Sequence, residues 1–68
     1  MDEDVLNLSI RKFLKKVGIN SQREIEKTIR DALADGSLKD EDVVNVSMTL
    51  RIGDQGSEMI IDDQIKLE

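Results

Sequence analysis

The chain contains no cysteine, histidine, tryptophan, tyrosine or proline, and a single phenylalanine is its only aromatic residue. Without cysteine there is no disulfide framework, no thiolate nucleophile and no thiolate metal ligand. Without histidine the side chain best matched to proton transfer near neutral pH is missing, and a zinc ion would have only carboxylates to bind it, a poor match to its preferred nitrogen and sulfur donors. Long apolar runs are also missing. The longest stretch free of charge is the eight residues Val43 to Leu50, far short of a membrane span, and the start Met1-Asp2-Glu3-Asp4 is acidic where a secretory signal is basic. These features set the expectation of a cytoplasmic protein without a membrane segment, cofactor, metal or catalytic residue.

What remains is 68 residues, 37% charged and 38% hydrophobic, with a formal charge of -5. That size suits one small acidic domain over residues 1–68, with little room for a sequestered cleft. For a domain so small, hydrophobic burial barely offsets an ordering cost of about 1.5 kcal/mol per residue, so a stable monomer needs good local propensity or a partner, and self-association is one way to meet that need.

Leu6, Ile10, Phe13, Leu14 and Val17 recur at the spacing of an amphipathic helix over residues 4–17. Acids at Asp2 to Asp4 and bases at Lys15 and Lys16 suit its dipole, and Gly18 stands where a left-handed C-terminal cap would fall. Ser21-Gln22-Arg23-Glu24 then matches a capping box that would open a second helix, with Ile25, Ile29, Ala32 and Leu33 on one face and Gly36 as its C-terminal cap. The expectation is a helical hairpin turning at Gly18-Ile19-Asn20.

Beyond the polar connector 36–42 the period changes to two. Val44, Val46, Met48, Leu50 and Ile52 share one parity; Met59, Ile61, Ile65 and Leu67 share another, across the turn Gly53-Asp54-Gln55-Gly56. Setting Gly53 opposite Gly56 pairs Leu50 with Met59, Met48 with Ile61 and Val44 with Ile65 on one face, and Arg51 with Glu58 on the other. Asp63 breaks the pattern: it falls on the apolar parity opposite Val46, as a rim residue, a bulge, or a carboxylate directed at the basic helices. The order suggests an α+β fold, a two-layer ααββ domain with a helical hairpin packed on an antiparallel β-hairpin. A two-stranded sheet leaves open edges, so a homodimer through a hairpin edge is a further arrangement.

The run Glu3-Asp4-Val5, then Ser9 through Gly18, then Ser21-Gln22-Arg23-Glu24-Ile25-Glu26-Lys27 resembles a family of short bacterial proteins of unknown function. The resemblance covers residues 3–27 and implies a stand-alone protein of this size. It brings no activity, cofactor or site residue with it.

Charge is segregated along the chain. Residues 11–30 hold seven bases against Glu24 and Glu26, a net of +5, whereas residues 1–10 carry -3 and residues 31–68 carry -7. On the second helical segment Arg23, Lys27 and Arg30 share a face, and on the first Arg11 stacks with Lys15 and Lys12 with Lys16. The candidate binding residues are therefore Arg11, Lys15, Arg23, Lys27 and Arg30, an anion-binding face for an acidic macromolecular partner, in the first place a protein. The plainer readings are solvated outer faces of amphipathic helices, or neutralisation by the chain's own acids.

Nucleic acid is the second reading, through a divergent helix-turn-helix-like hairpin over residues 13–30. Its phase is poor, because Glu24 stands six places after Gly18 where such motifs carry an apolar residue. A homo-oligomeric structural subunit is the third reading. The clusters Asp40-Glu41-Asp42 and Asp62-Asp63 lack the spacing of a calcium loop. Neither Ser9 nor Ser21 has a base to activate it, and Lys15 and Lys16 lack the desolvation an amine nucleophile needs. A non-enzymatic interaction module is the expected function.

Overall fold

A computed structural model describes residues 1–54 and 56–68. Gln55, placed in the turn by the sequence pattern, lies outside the described residues. The elements are one α-helix, α1 (Glu3–Ala34), and two strands, β1 (Val43–Ile52) and β2 (Ser57–Lys66). The chain divides into two units, Met1–Ser37 and Leu38–Glu68.

The first unit corrects the expected helical hairpin. Helix α1 runs unbroken for 32 residues through Gly18, Ile19 and Asn20. Gly18 is therefore not a left-handed cap, and Ser21 caps nothing; it is a half-buried helix-interior residue. The reason is cooperative. Glycine reaches right-handed helical angles as readily as left-handed ones, at about 1 kcal/mol relative to alanine, whereas a break would forfeit backbone hydrogen bonds on both sides and require two new caps. No proline is present to force the break.

The true ends are well marked. Asp2 is the N-cap, and its carboxylate accepts hydrogen bonds from the backbone N–H of Asp4 at 2.9 Å and of Val5 at 3.2 Å. The acidic first turn expected from Asp2 to Asp4 is in place. At the other end Gly36, at φ 85°, takes the left-handed conformation expected of it, one residue past the C-cap Asp35. Lys15 and Lys16, expected to close a first helix, lie in mid-helix, and the last turn carries no base.

Asp35 also organises the exit from the helix. Its carboxylate accepts both the hydroxyl of Ser37 and the backbone N–H of Ser37, the latter at 2.8 Å. These two bonds, the hydroxyl first, hold its pKa below the ordinary aspartate value of 3.8. A depressed carboxylate contributes stability that is present above its unfolded pKa and is lost as pH falls through the folded one. The Asp35–Ser37 turn should therefore loosen only in acid below pH 3.8. Carboxyl-carbon NMR titration should show Asp35 as a depressed carboxylate in the native protein and return it toward 3.8 in Ser37→Ala.

The second unit is the expected antiparallel hairpin in the expected register. Val44 pairs with Ile65, Met48 with Ile61, Leu50 with Met59 and Arg51 with Glu58. Gly53 at φ 47° and Gly56 at φ 74° supply the positive angles that reverse the chain. The pairing is continuous through Val46 and Asp63, so Asp63 is not a bulge. It is an exposed residue whose carboxylate accepts the Gln64 N–H at 2.7 Å. Val44, Val46, Leu50 and Ile65 are half-buried on the apolar face, and no described side chain in either unit is fully buried.

Candidate basic face of the helix

All five basic residues singled out in the sequence lie on α1, and the continuity of that helix decides which of them share a face. At 3.6 residues per turn, Arg23, Lys27 and Arg30 fall within an arc of about 60°. Arg11 and Lys15 lie about 100° away from the middle of that arc. Lys12 and Lys16 fall inside it instead. The spacing Lys12, Lys16, Arg23, Lys27, Arg30 is four, seven, four and three, so a single stripe runs about 27 Å along the helix. Within a hairpin the two halves would have had independent phases; one helix locks them together.

The apolar seam is on the opposite side of the same helix. Ile10, Leu14, Val17, Ile25 and Ile29 centre about 180° from the basic stripe. Whatever covers that seam leaves the stripe facing outward. Ile19, 45% exposed, sits at the stripe's margin, where it joins Lys12, Lys15, Lys16 and Asn20 around an open surface depression of about 320 Å³.

Ion pairing spends little of this charge. Among the described residues the salt bridges are Arg30–Glu26, at 3.6 Å and one turn apart on α1, and Arg51–Glu58, at 3.4 Å across the hairpin. Both are solvent-exposed, the class of pair that contributes about 0–1 kcal/mol. Gln22 donates a further hydrogen bond to Glu26 at 3.0 Å. Lys12, Lys16, Arg23 and Lys27 have no carboxylate within salt-bridge distance among the described residues.

The comparisons with known proteins bear on this chain as a whole. A family model, the family of unknown function DUF6494, matches residues 1–68. The chain belongs to that family. The match extends the resemblance seen over residues 3–27 to both strands, and it assigns no activity to the basic stripe. No curated protein and no solved structure matches the chain.

One sequence expectation fails at this site. The helix-turn-helix-like hairpin is overturned, because a recognition helix needs a turn before it and α1 has none. No group of three or more carboxylates is placed to hold a metal ion among the described residues. No helix among them is long and apolar enough to cross a membrane. Reading residues 18–20 as a turn hides the alignment of Lys12 and Lys16 with Arg23, Lys27 and Arg30. The signal that could have found it is the apolar spacing itself, since Leu14, Gly18, Ser21 and Ile25 keep helical phase across the supposed break.

Proposed function

We propose that this protein is a non-enzymatic interaction module whose helix α1 presents the stripe Lys12, Lys16, Arg23, Lys27 and Arg30 to an acidic surface on a partner protein. The observation that carries this reading is the alignment of five bases on the side of α1 opposite its apolar seam, four of them unpaired among the described residues. An acidic chain would ordinarily repel an acidic partner; concentrating positive charge on one helix creates a local field of the other sign, which speeds encounter and sets orientation. Of the residues expected from the sequence, Arg23, Lys27 and Arg30 form the centre of this contact. Arg11 and Lys15 stand outside it.

Nucleic acid is the competing ligand for the same charges, now through one continuous helix. A salt titration separates the two. Nucleic-acid binding would show affinity falling steeply with salt for any duplex or single strand, with a log–log slope of about -0.7 to -0.9 per phosphate neutralised. The proposed reading predicts no binding to generic duplex or single strand even at low ionic strength, together with capture of an acidic protein from native extract. Capture that is unchanged in Arg23→Glu/Lys27→Glu overturns it.

A further inference from the structure

Eight residues along the seam of α1 have an internal symmetry that its composition does not require; Val17, which the same reversal would set against Gln22, stands outside it. Leu6, Ile10, Leu14 and Gly18 follow one another at intervals of four, as do Ser21, Ile25, Ile29 and Leu33, and an interval of three joins the two sets. Read backwards, the intervals are the same. Reversal about the midpoint between Ile19 and Asn20 exchanges Leu6 with Leu33, Ile10 with Ile29, Leu14 with Ile25 and Gly18 with Ser21. Large aliphatic side chains meet large ones, and the two small residues meet each other at the centre.

An antiparallel two-fold pair imposes this relation, because residue i of one copy then contacts residue j of the other and j contacts i. We infer that α1 is an antiparallel homodimerisation helix, with a second copy of this chain covering the seam and crossing it at Gly18 and Ser21. The first half of the seam is open to such a partner: Leu6, Ile10 and Leu14 are 38%, 45% and 55% exposed. The missing side chain at Gly18 lets the two backbones approach at the crossing point. Because the mean interval exceeds 3.6 residues, the row winds right-handed around α1 and a partner following it crosses with that hand.

Charge selects the same arrangement. Arg11, Lys15 and Glu26 flank the seam on one side. A two-fold axis perpendicular to both helices brings like flank to like flank, and the reversal sets Glu26 of one copy opposite Phe13 of the other, between Arg11 and Lys15. Two such clusters form per dimer. A parallel pair, whose two-fold axis runs along the helices, would bring opposite flanks together at equal heights and leave Glu26 far from Arg11 and Lys15. This gives a role to the two bases that lie off the outward stripe, and it is independent of the proposed partner contact.

Sedimentation equilibrium on the full chain tests the inference. The expected mass is twice 7.7 kDa at tens of micromolar protein. Gly18→Leu should shift the protein to monomer while far-UV circular dichroism shows helix content undiminished, since a Cβ at Gly18 meets nothing within 4 Å in one chain and leucine is the better helix former. Arg11→Glu/Lys15→Glu should weaken association at least tenfold, and adding Glu26→Lys should restore it. A monomer at every concentration, or a dimer indifferent to both Gly18→Leu and the charge reversal, overturns the inference; the second result would leave pairing through the β2 edge. Partner capture by the monomeric Gly18→Leu variant keeps failure here distinct from failure of the proposed function.

Discussion

Replacing Gly18 with proline should destabilise the helix by about 3 kcal/mol or more, whereas replacing it with alanine should stabilise it by about 1 kcal/mol. Proline removes an interior N–H and clashes with the carbonyl one turn back, here near the middle of a 32-residue helix. Alanine keeps every backbone bond, and its Cβ meets no atom within 4 Å. The sign of the alanine effect is diagnostic. If Gly18 were a left-handed cap between two helices, alanine would be forced into a conformation costing about 1 kcal/mol, and proline, its φ fixed at about −65°, would be excluded there as well, so alanine alone separates the two cases. Helicity and thermal unfolding by circular dichroism read both changes, at concentrations low enough that association does not contribute. Loss of stability in Gly18→Ala would contradict the continuous helix and, with it, the basic stripe.

Reversing Lys12 and Lys16 together should weaken capture of the acidic partner by an order of magnitude or more, as much as reversing Arg23 and Lys27. Each double reversal changes the stripe by four charge units and sets like charge against the partner, a juxtaposition that costs several kcal/mol across an interface. Reversing Arg11 and Lys15 in a monomeric Gly18→Leu background changes the net charge equally but lies about a quarter turn away, so capture there should fall much less. Surface plasmon resonance against the captured protein, repeated at low and high salt, distinguishes a local contact from general attraction. Equal losses for all three pairs would show that net charge alone is at work. Screening with a Debye length of about 8 Å at physiological ionic strength predicts that the contrast among the pairs sharpens as salt rises.

The hairpin was legible down to individual residues. Strand parity is a period of two, so one misplaced residue turns every side chain over, and the apolar pairs Leu50–Met59 and Met48–Ile61 admit one register with an even turn. Arg51 opposite Glu58 agreed on the other face and forms the salt bridge. The helical half was legible in face but not in continuity. Ser21 and Glu24 match a capping box as well as any true helix start, and Gly18 matches a C-terminal cap, yet both motifs lie inside α1. Such motifs state what a residue could do at a helix end; they do not create the end. Asp2 and Gly36 match end signals of the same kind, and there the neighbouring sequence does stop being helical.

By itself the amino-acid order determined the hairpin register, the two outer helix boundaries, the apolar seam and the concentration of positive charge in residues 11–30, because each is a local or periodic property of neighbouring side chains. Only the folded structure decided which bases stand together. Angular positions add up along a helix only while it is unbroken, and Gly18, Ile19 and Asn20 permit either continuation or a turn. The cooperative hydrogen bonding of the flanking turns resolved that choice toward continuation, joining Lys12 and Lys16 to Arg23, Lys27 and Arg30 and turning Arg11 and Lys15 aside.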